Sequence, residues 1–449
     1  MPSNEMSFGK YAAHKVRTYL TRMANMPVAC RVAFMVLVAS YLNAVLSIAM
    51  TVACGIYVIC NRECRKDICS DNNNLISLGL CALFIGVSFF NRNYVGILAM
   101  LFFTFLVFIM TSVRKRITRR FFEDLVTAHL TYSVFAVVVA FIEWCCNLSA
   151  PIYRSSSTFL NPLYFSYFIA ISAVMATYRL VVSPRARLVH GFVLLIDIFG
   201  MLLSGGRLPW IGMFAGCLAV LIFCRKYKLF VLFSIAICFM IGFAAMFPNL
   251  PILESLRLGS IGAGYEERIP YWKLALEGFE KSPFFGQGIL GVLNLSLQKN
   301  PGILSHIFDA NGGLATAMES LKYSRNVPNG LMLHAHNILF DMLCNLGIIG
   351  SIIFMFCLVR YLTNMYSKFD YKSNQPMIAL MVGFICAVTV NSILDCQFIG
   401  AQTMAFTVIL FSATGLKKEK GYDDLKNELT LQEIREHFSK KIHKKNLAK

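Results

Sequence analysis

Repeated apolar runs, most of them long enough to cross a lipid bilayer, govern what this chain can fold into. They fall at residues 30–60, 75–90, 95–113, 125–145, 161–182, 187–204, 208–224, 228–247, 338–360, 376–394 and 397–415. Inside hydrocarbon every backbone N–H and C=O needs a protein partner, which leaves only helices or closed barrels. Runs of about 16–22 residues without two-residue alternation select helices. With 57% hydrophobic and 15% charged residues, a water-soluble fold would expose far too much apolar surface. The expected fold is all-α and polytopic, with one large segment between two groups of spans.

The first run is too long for a single crossing. About thirty residues of helix reach about 45 Å, against a hydrocarbon core of about 30 Å. A break near Asn43–Ser47 resolves this, and charge favours it. With the N-terminus inside and the run split, Arg62, Arg65 and Lys66 fall on the inner side. So do Arg114, Lys115, Arg116, Arg119 and Arg120, then Arg185 and Arg187, Arg225, Lys226 and Lys228, and Arg360, Lys368 and Lys372. Without the split the Arg114–Arg120 group moves outside, against the positive-inside rule. The expected arrangement is about twelve spans with both termini inside. Its parts are a basic cytoplasmic N-terminus (1–29), the first nine spans (30–247), a large extracytoplasmic loop (248–335), the last three spans (336–415) and a basic cytoplasmic tail (416–449). Lys10, His14, Lys15, Arg17 and Arg22 precede the first run, which many others follow, so a retained leader is expected rather than a cleaved signal.

The net charge of +18 does not indicate nucleic acid. The basic residues are dispersed through short inter-span loops and a tail, which suits anionic membrane lipid. In the tail Leu425, Leu429, Ile434, Phe438 and Ile442 could line a helix lying on that lipid; a solvated tail is the other reading. Of the 15 cysteines, several lie inside apolar runs as small hydrophobes. Cys60, Cys64 and Cys69 lack histidine neighbours and paired CxxC spacing, so no zinc site is expected.

Residues able to do chemistry concentrate between Pro248 and Gly350, and from Pro248 to Leu333 acidic and basic side chains balance in number. Ile269, Trp272, Leu276 and Phe279 recur at helical spacing from Arg268 to Lys281, predicting an amphipathic helix on the outer membrane interface. Gly286, Gly288 and Gly291 permit a turn, which could be re-entrant. Four polar clusters fall at outward ends of spans. They are Arg154 with Ser155–Thr158, Ser204-Gly-Gly-Arg207, Arg268 with His334, His336 and Asn337, and Asn391 with Asp395. Ionisable groups at such depth normally line a polar cavity. Guanidinium groups suit phosphate oxygens, and a neutral histidine can take a proton from a hydroxyl. Each residue also has a plainer use. Arg207 could snorkel, Arg268 could pair with Glu266 or Glu267, a lone outward histidine is usually structural, and Asp395 could cap a helix.

Several motifs resemble the O-antigen ligase and Wzy polymerase superfamily. These are Arg268-x3-Trp272, Ser282-Pro-Phe-Phe-Gly-Gln-Gly288, and His334-Ala-His336-Asn337 with Gly347-x2-Gly350. Ser204-Gly-Gly-Arg207 is similar to the family's Ser-rich segment ending in Arg, and Ser157-Thr-Phe-Leu-Asn161-Pro162 to its earlier outer loop. The resemblance covers residues 155–415, about half the chain.

The resemblance implies a GT-C-like membrane enzyme of the bacterial inner membrane with its site on the extracytoplasmic side. It would be an inverting glycosyltransferase that takes an undecaprenyl-diphosphate-linked glycan as donor and needs no metal or other cofactor. Carried over to this sequence, His336 would be the base that activates the acceptor hydroxyl, with His334 as the alternative and Asp395 beside them. Arg207 and Arg268 would hold the donor diphosphate, with Arg154 and Asn337 as further contacts. The family often has a basic residue soon after the position of Asp395, where this chain has Gln397. Partners would be the lipid-linked donor, a glycan or lipid-core acceptor, membrane lipid, and a chain-length regulator or other polysaccharide-assembly proteins. Polymerase, ligase and protein O-oligosaccharyltransferase share this chemistry. The non-enzymatic alternative is a transporter or flippase of lipid-linked oligosaccharide, against which the chain has no repeated halves.

Overall fold

The computed structural model describes residues 26–69, 72–116, 119–147, 153–247, 266, 268–299, 332–367, 371–393 and 400–413. The basic leader, the tail, Asp395, and most of the long loop (248–265 and 300–331) lie outside these. All regular structure among the described residues is helical.

The first apolar run is broken where an asparagine stands. α1 (Val28–Leu42) ends at Asn43, whose backbone is extended, and α2 (Ala44–Cys60) begins beyond it. Asn43 caps α2, its Oδ1 accepting the Val45 N–H at 2.7 Å. The short α3 (Arg62–Cys69) turns by 86° from α2 and buries Cys64 and Ile68. Then come α4 (Asn72–Phe90), α5 (Tyr94–Arg116), α6 (Arg119–Cys146), α7 (Pro162–Val182), α8 (Arg187–Ser204), α9 (Arg207–Phe223) and α10 (Tyr227–Met246). Two lobe helices follow, α11 (Ile269–Lys281) and α12 (Gly291–Lys299), and then α13 (Ile338–Ser367), α14 (Tyr371–Ile393) and α15 (Ala401–Ala413).

Six of these helices contain stretches long and apolar enough to cross a membrane: Tyr94–Val113, Phe121–Cys146, Pro162–Val182, Arg187–Ser204, Ile338–Arg360 and Pro376–Ile393. The bent pair α2–α3 makes a seventh if it is one span, and five shorter apolar helices accompany them. The chain is therefore a polytopic α-helical membrane protein.

α7 is the pillar of the bundle. Every residue from Phe165 to Arg179 is buried, so this helix meets protein on all sides and lipid almost nowhere. Beside it, α9 and α14 approach closely through small residues. A Cβ on Gly216 would meet the Gly383 carbonyl oxygen at 2.8 Å, and one on Gly383 would meet the Gly216 carbonyl at 2.9 Å. Without a hydrophobic drive between helices in lipid, contact of this kind holds them together.

The helix ends sort into two sets. At one end Arg116 bridges Glu63 (2.9 Å) and Asp67 (2.7 Å), and buried Arg179 pairs with Glu123 at 2.7 Å. At the other end the α4–α5 turn meets the lobe, the α6–α7 connection meets the α8–α9 turn, and the last turn of α14 meets the start of α9.

The lobe departs from expectation in one respect. α11 exists where its spacing predicts, but the side it buries is Leu274, Ala275 and Gly278, packed on α12 and α13. Ile269 and Leu276 stay exposed. The small residues Ala275 and Gly278 let α11 dock closely, and that contact outweighs the larger apolar stripe.

Candidate functional site

The frame of the site is a helix broken and repaired. α13 is interrupted at Gly347, where φ is 61° and ψ is −168°, a conformation essentially restricted to glycine. A break in a spanning helix frees backbone groups that lipid cannot satisfy. Here the Ser282–Gly288 segment satisfies several of them. The Cys344 carbonyl accepts the Gln287 N–H at 2.7 Å, and the Asn345 carbonyl accepts the Gly288 N–H at 3.0 Å. On the other side of the break, Ile348 N–H donates to the Pro283 carbonyl (2.8 Å) and Ile349 N–H to that of Phe284 (2.9 Å). Gly286 has φ 71°, and a Cβ there would lie 2.4 Å from the Asn345 carbonyl carbon, so only glycine fits. The α4–α5 turn secures the other face. Buried Asn93 donates from Nδ2 to the carbonyls of Gln287 (3.0 Å) and Ile289 (2.8 Å), and Asn91 donates to that of Gly286 at 3.1 Å.

This frame holds the start of α13, and with it the histidines. Asn337 caps α13: its Oδ1 accepts the Leu339 N–H at 2.9 Å and the Phe340 N–H at 3.3 Å. Its carbonyl oxygen is therefore occupied by the helix end. Before it, Met332–Ala335 has no regular structure and is tied to α12, where Met332 N–H donates to Ser296 Oγ at 3.0 Å. Asp341, 4% exposed, reaches back with Oδ1 to accept the Ala335 N–H at 2.8 Å.

The two histidines differ. His334 is buried, and its Nδ1 accepts the backbone N–H of His336 at 3.0 Å. That places the proton of neutral His334 on Nε2. His336 has left-handed backbone, with φ 52°. Its ring lies 4.0 Å from that of His334 and meets the edge of Tyr271 at 5.1 Å. Half-exposed Arg268 precedes Tyr271 by one helical turn, so α11 brings it to the same corner of the lobe. Beneath, Trp272 stacks on Phe340 at 5.5 Å, over an apolar floor of Leu274, Val292, Leu295 and Cys344.

The second cluster lies at the α8–α9 turn. Gly205 is left-handed (φ 61°) and Gly206 lets the chain pass Ser166, where a Cβ would meet Oγ at 2.3 Å. Arg207 is thereby set at the first position of α9, where the helix dipole already favours an anion. Arg154 joins it, donating from Nε to the Ser204 carbonyl at 2.9 Å. Glu143, near the end of α6, anchors the loop carrying Arg154. Its carboxylate accepts the Ser156 N–H (3.0 Å), the Ser157 N–H (2.8 Å) and the Tyr153 hydroxyl (2.6 Å). Burial and that carboxylate push the Tyr153 phenol well above its usual range.

The structure thus gathers Arg154 with Arg207, and Arg268 with His334 and His336, at the same end of the bundle. Asn391 is fully buried at the close approach of α14 to Gly212 in α9, and Asp395 lies outside the described residues. Sequence reading missed Asp341, Glu143 and Asn93. Asp341 carried a signal, an acid in the first turn of a helix that follows histidines. Glu143 and Asn93 carried none, because their roles come from contacts far along the chain. Among the described residues no group of three or more His, Cys, Asp or Glu side chains could hold a metal.

The fold and this end of the bundle define a class: a multi-pass membrane protein with a helical lobe that carries histidine and arginine side chains. Residues 191–355 match the family model described as O-antigen ligase. The matched stretch runs from α8 into α13 and includes Arg207, Arg268, His334 and His336; Arg154 and Asp395 fall outside it. No curated protein matches the chain. The match supports O-antigen ligase or polymerase-type function in general and a glycosyltransferase-like activity.

Proposed function

We propose that this chain is an inverting membrane glycosyltransferase that moves a glycan from undecaprenyl diphosphate onto an acceptor hydroxyl, as polymerase or ligase of a surface polysaccharide. The observation that carries the reading is the placement of His336. It stands in strained left-handed backbone, beside Arg268's helix, on a lobe locked into a spanning helix. His336 acts as the base on the acceptor hydroxyl, since His334 is buried with Nδ1 already engaged. Arg207, at a helix N-terminus, binds the donor diphosphate with Arg268 and Arg154 and stabilises the charge left on it as the sugar departs. Asp395 is the reserve candidate for the base, and Asn337 acts through the helix cap it forms.

The end bearing the lobe faces outward in the bacterial inner membrane, with about twelve spans and both termini inside. The basic groups Arg116 and Arg179 at the opposite end support that orientation. A broken helix such as α13 is also a transporter feature. Its freed Cys344 and Asn345 carbonyls and Ile348 and Ile349 N–H groups, however, are engaged by the Pro283–Gly288 segment, which favours a fixed frame over an ion site.

The experiment uses purified protein in nanodiscs with a polyprenyl-diphosphate-linked oligosaccharide. Release of glycan from the lipid diphosphate is expected. In addition, Arg207→Lys and Arg268→Lys should weaken donor binding together with turnover, because an ammonium keeps the charge and loses the two-pronged geometry. Movement of the intact lipid-linked donor across proteoliposomes without release would overturn the reading in favour of a transporter.

A further inference from the structure

Asp341 has two oxygens with different circumstances. Oδ1 holds the Ala335 N–H, whereas Oδ2 is buried without a hydrogen-bond partner and lies 3.7 Å from His334 Nδ1. That same Nδ1 accepts the backbone N–H of His336. One nitrogen therefore has two possible uses, and protonation chooses between them. While Nδ1 carries a lone pair it holds His336 and leaves Oδ2 unsatisfied, which is costly in a buried place. Once Nδ1 carries a proton it can no longer accept, and a small ring rotation lets it donate to Oδ2 as a charge-assisted bond.

Resting on the assignment of His336 as base, we propose that His334 is a positioning residue and that Asp341 withdraws it on acidification, releasing the left-handed His336 backbone. A proton from solvent enters Nδ1, remains between His334 and Asp341, and frees the His336 N–H. Nothing else is transferred. Among the described residues the titratable groups around this pair are His336, whose ring Tyr271 meets, and Cys344 on α13; Arg268 stands one helical turn before Tyr271 on α11, and there α12 contributes no titratable side chain but apolar Val292 and Leu295 and the uncharged Asn294 and Ser296. The device makes loss of activity at low pH a two-proton event, one proton on the base and one on its holder.

The test is His334→Asn. An asparagine Oδ1 can still accept the His336 N–H but cannot be protonated. Glycan release would be measured from about pH 8 to about pH 5, the range over which histidines exchange charge. Wild type is expected to fall with a limiting slope of about two decades per pH unit, and His334→Asn with about one. His334→Asn should keep at least about a tenth of wild-type turnover at the high-pH plateau, whereas His334→Ala should lose more. Asp341→Asn, which keeps the Ala335 contact, should also reduce the slope. Amide exchange gives a readout independent of catalysis: at low pH a peptide covering residues 332–345 should exchange faster in wild type than in His334→Asn, and equally at high pH. An active His334→Asn with an unchanged acid slope and unchanged exchange would overturn the inference and leave the base assignment standing. A folded His334→Asn dead at every pH would instead make His334 the base and overturn both.

Discussion

The α9–α14 seam and the break in α13 both rest on glycine, and they use it for opposite ends. In the seam, Gly212, Gly216 and Gly383 lie in unbroken helices, and the missing side chains simply let two backbones approach. At the break, Gly347 and Gly286 adopt positive φ so that two backbones exchange hydrogen bonds. The seam is a packing device that tolerates some adjustment. The break is a bonding device in which an altered backbone angle leaves several polar groups unmet in or near lipid. Rigidity of the second kind is what a catalytic lobe needs, since a base must be held to a fraction of an ångström.

The largest expected effect follows from breaking the bonding device. Gly347→Ala forces a Cβ to within 2.5 Å of the Phe284 carbonyl carbon in a conformation alanine resists. A loss of about 3 kcal/mol or more is expected, read as lost monodisperse protein in size-exclusion chromatography. Near-normal yield and melting would mean that the lobe is not held by this interlock. Next comes the seam. Gly212→Val brings a side chain against Asn391 Oδ1 and the Ala387 carbonyl, and about 1–3 kcal/mol should be lost. The comparison sharpens if protease nicks the Ser282–Gly291 segment early in Gly347→Ala but not in Gly212→Val.

Asn93→Ala removes two donors to the lobe segment and the acceptor for the Gly96 N–H. About 2 kcal/mol is expected, again with early cleavage of the lobe segment while the bundle melts nearly as before. The smallest effect belongs to Glu277. Its bonds with Lys299 and then Lys281 hold its carboxyl below the usual range. A depressed carboxyl contributes stability above its unfolded pKa and loses it as pH falls through the folded value. Because the side chain is a third exposed, Glu277→Gln should cost well under about 1 kcal/mol at neutral pH and nothing at acid pH. A large loss at neutral pH would show that the lobe depends on surface charge.

Much of this architecture was legible in the sequence. Length and apolar periodicity located the helices of the bundle, and the length of the first run with the loop charges called for a break near Asn43–Ser47, where Asn43 caps α2. The order of motifs pointed to the family. Illegible were the contacts those motifs make. Ser282–Gly288 and Gly347 lie far apart in sequence, and only folding shows that one supplies the hydrogen bonds the other lacks. For the same reason α11 buries Ala275 and Gly278, while Ile269 and Leu276 of the stripe that spacing favoured stay exposed. Small residues give a weak sequence signal and a strong packing one.

The central claim is that His336 performs proton transfer on a lobe held rigid by the α13 break. The most direct measurement is glycan release from a polyprenyl diphosphate donor by His336→Ala in nanodiscs, with donor binding measured on the same sample. Turnover should fall by about 10²–10⁴-fold, with donor affinity nearly unchanged because the arginines remain. Near-normal turnover in folded, membrane-inserted His336→Ala would contradict the account.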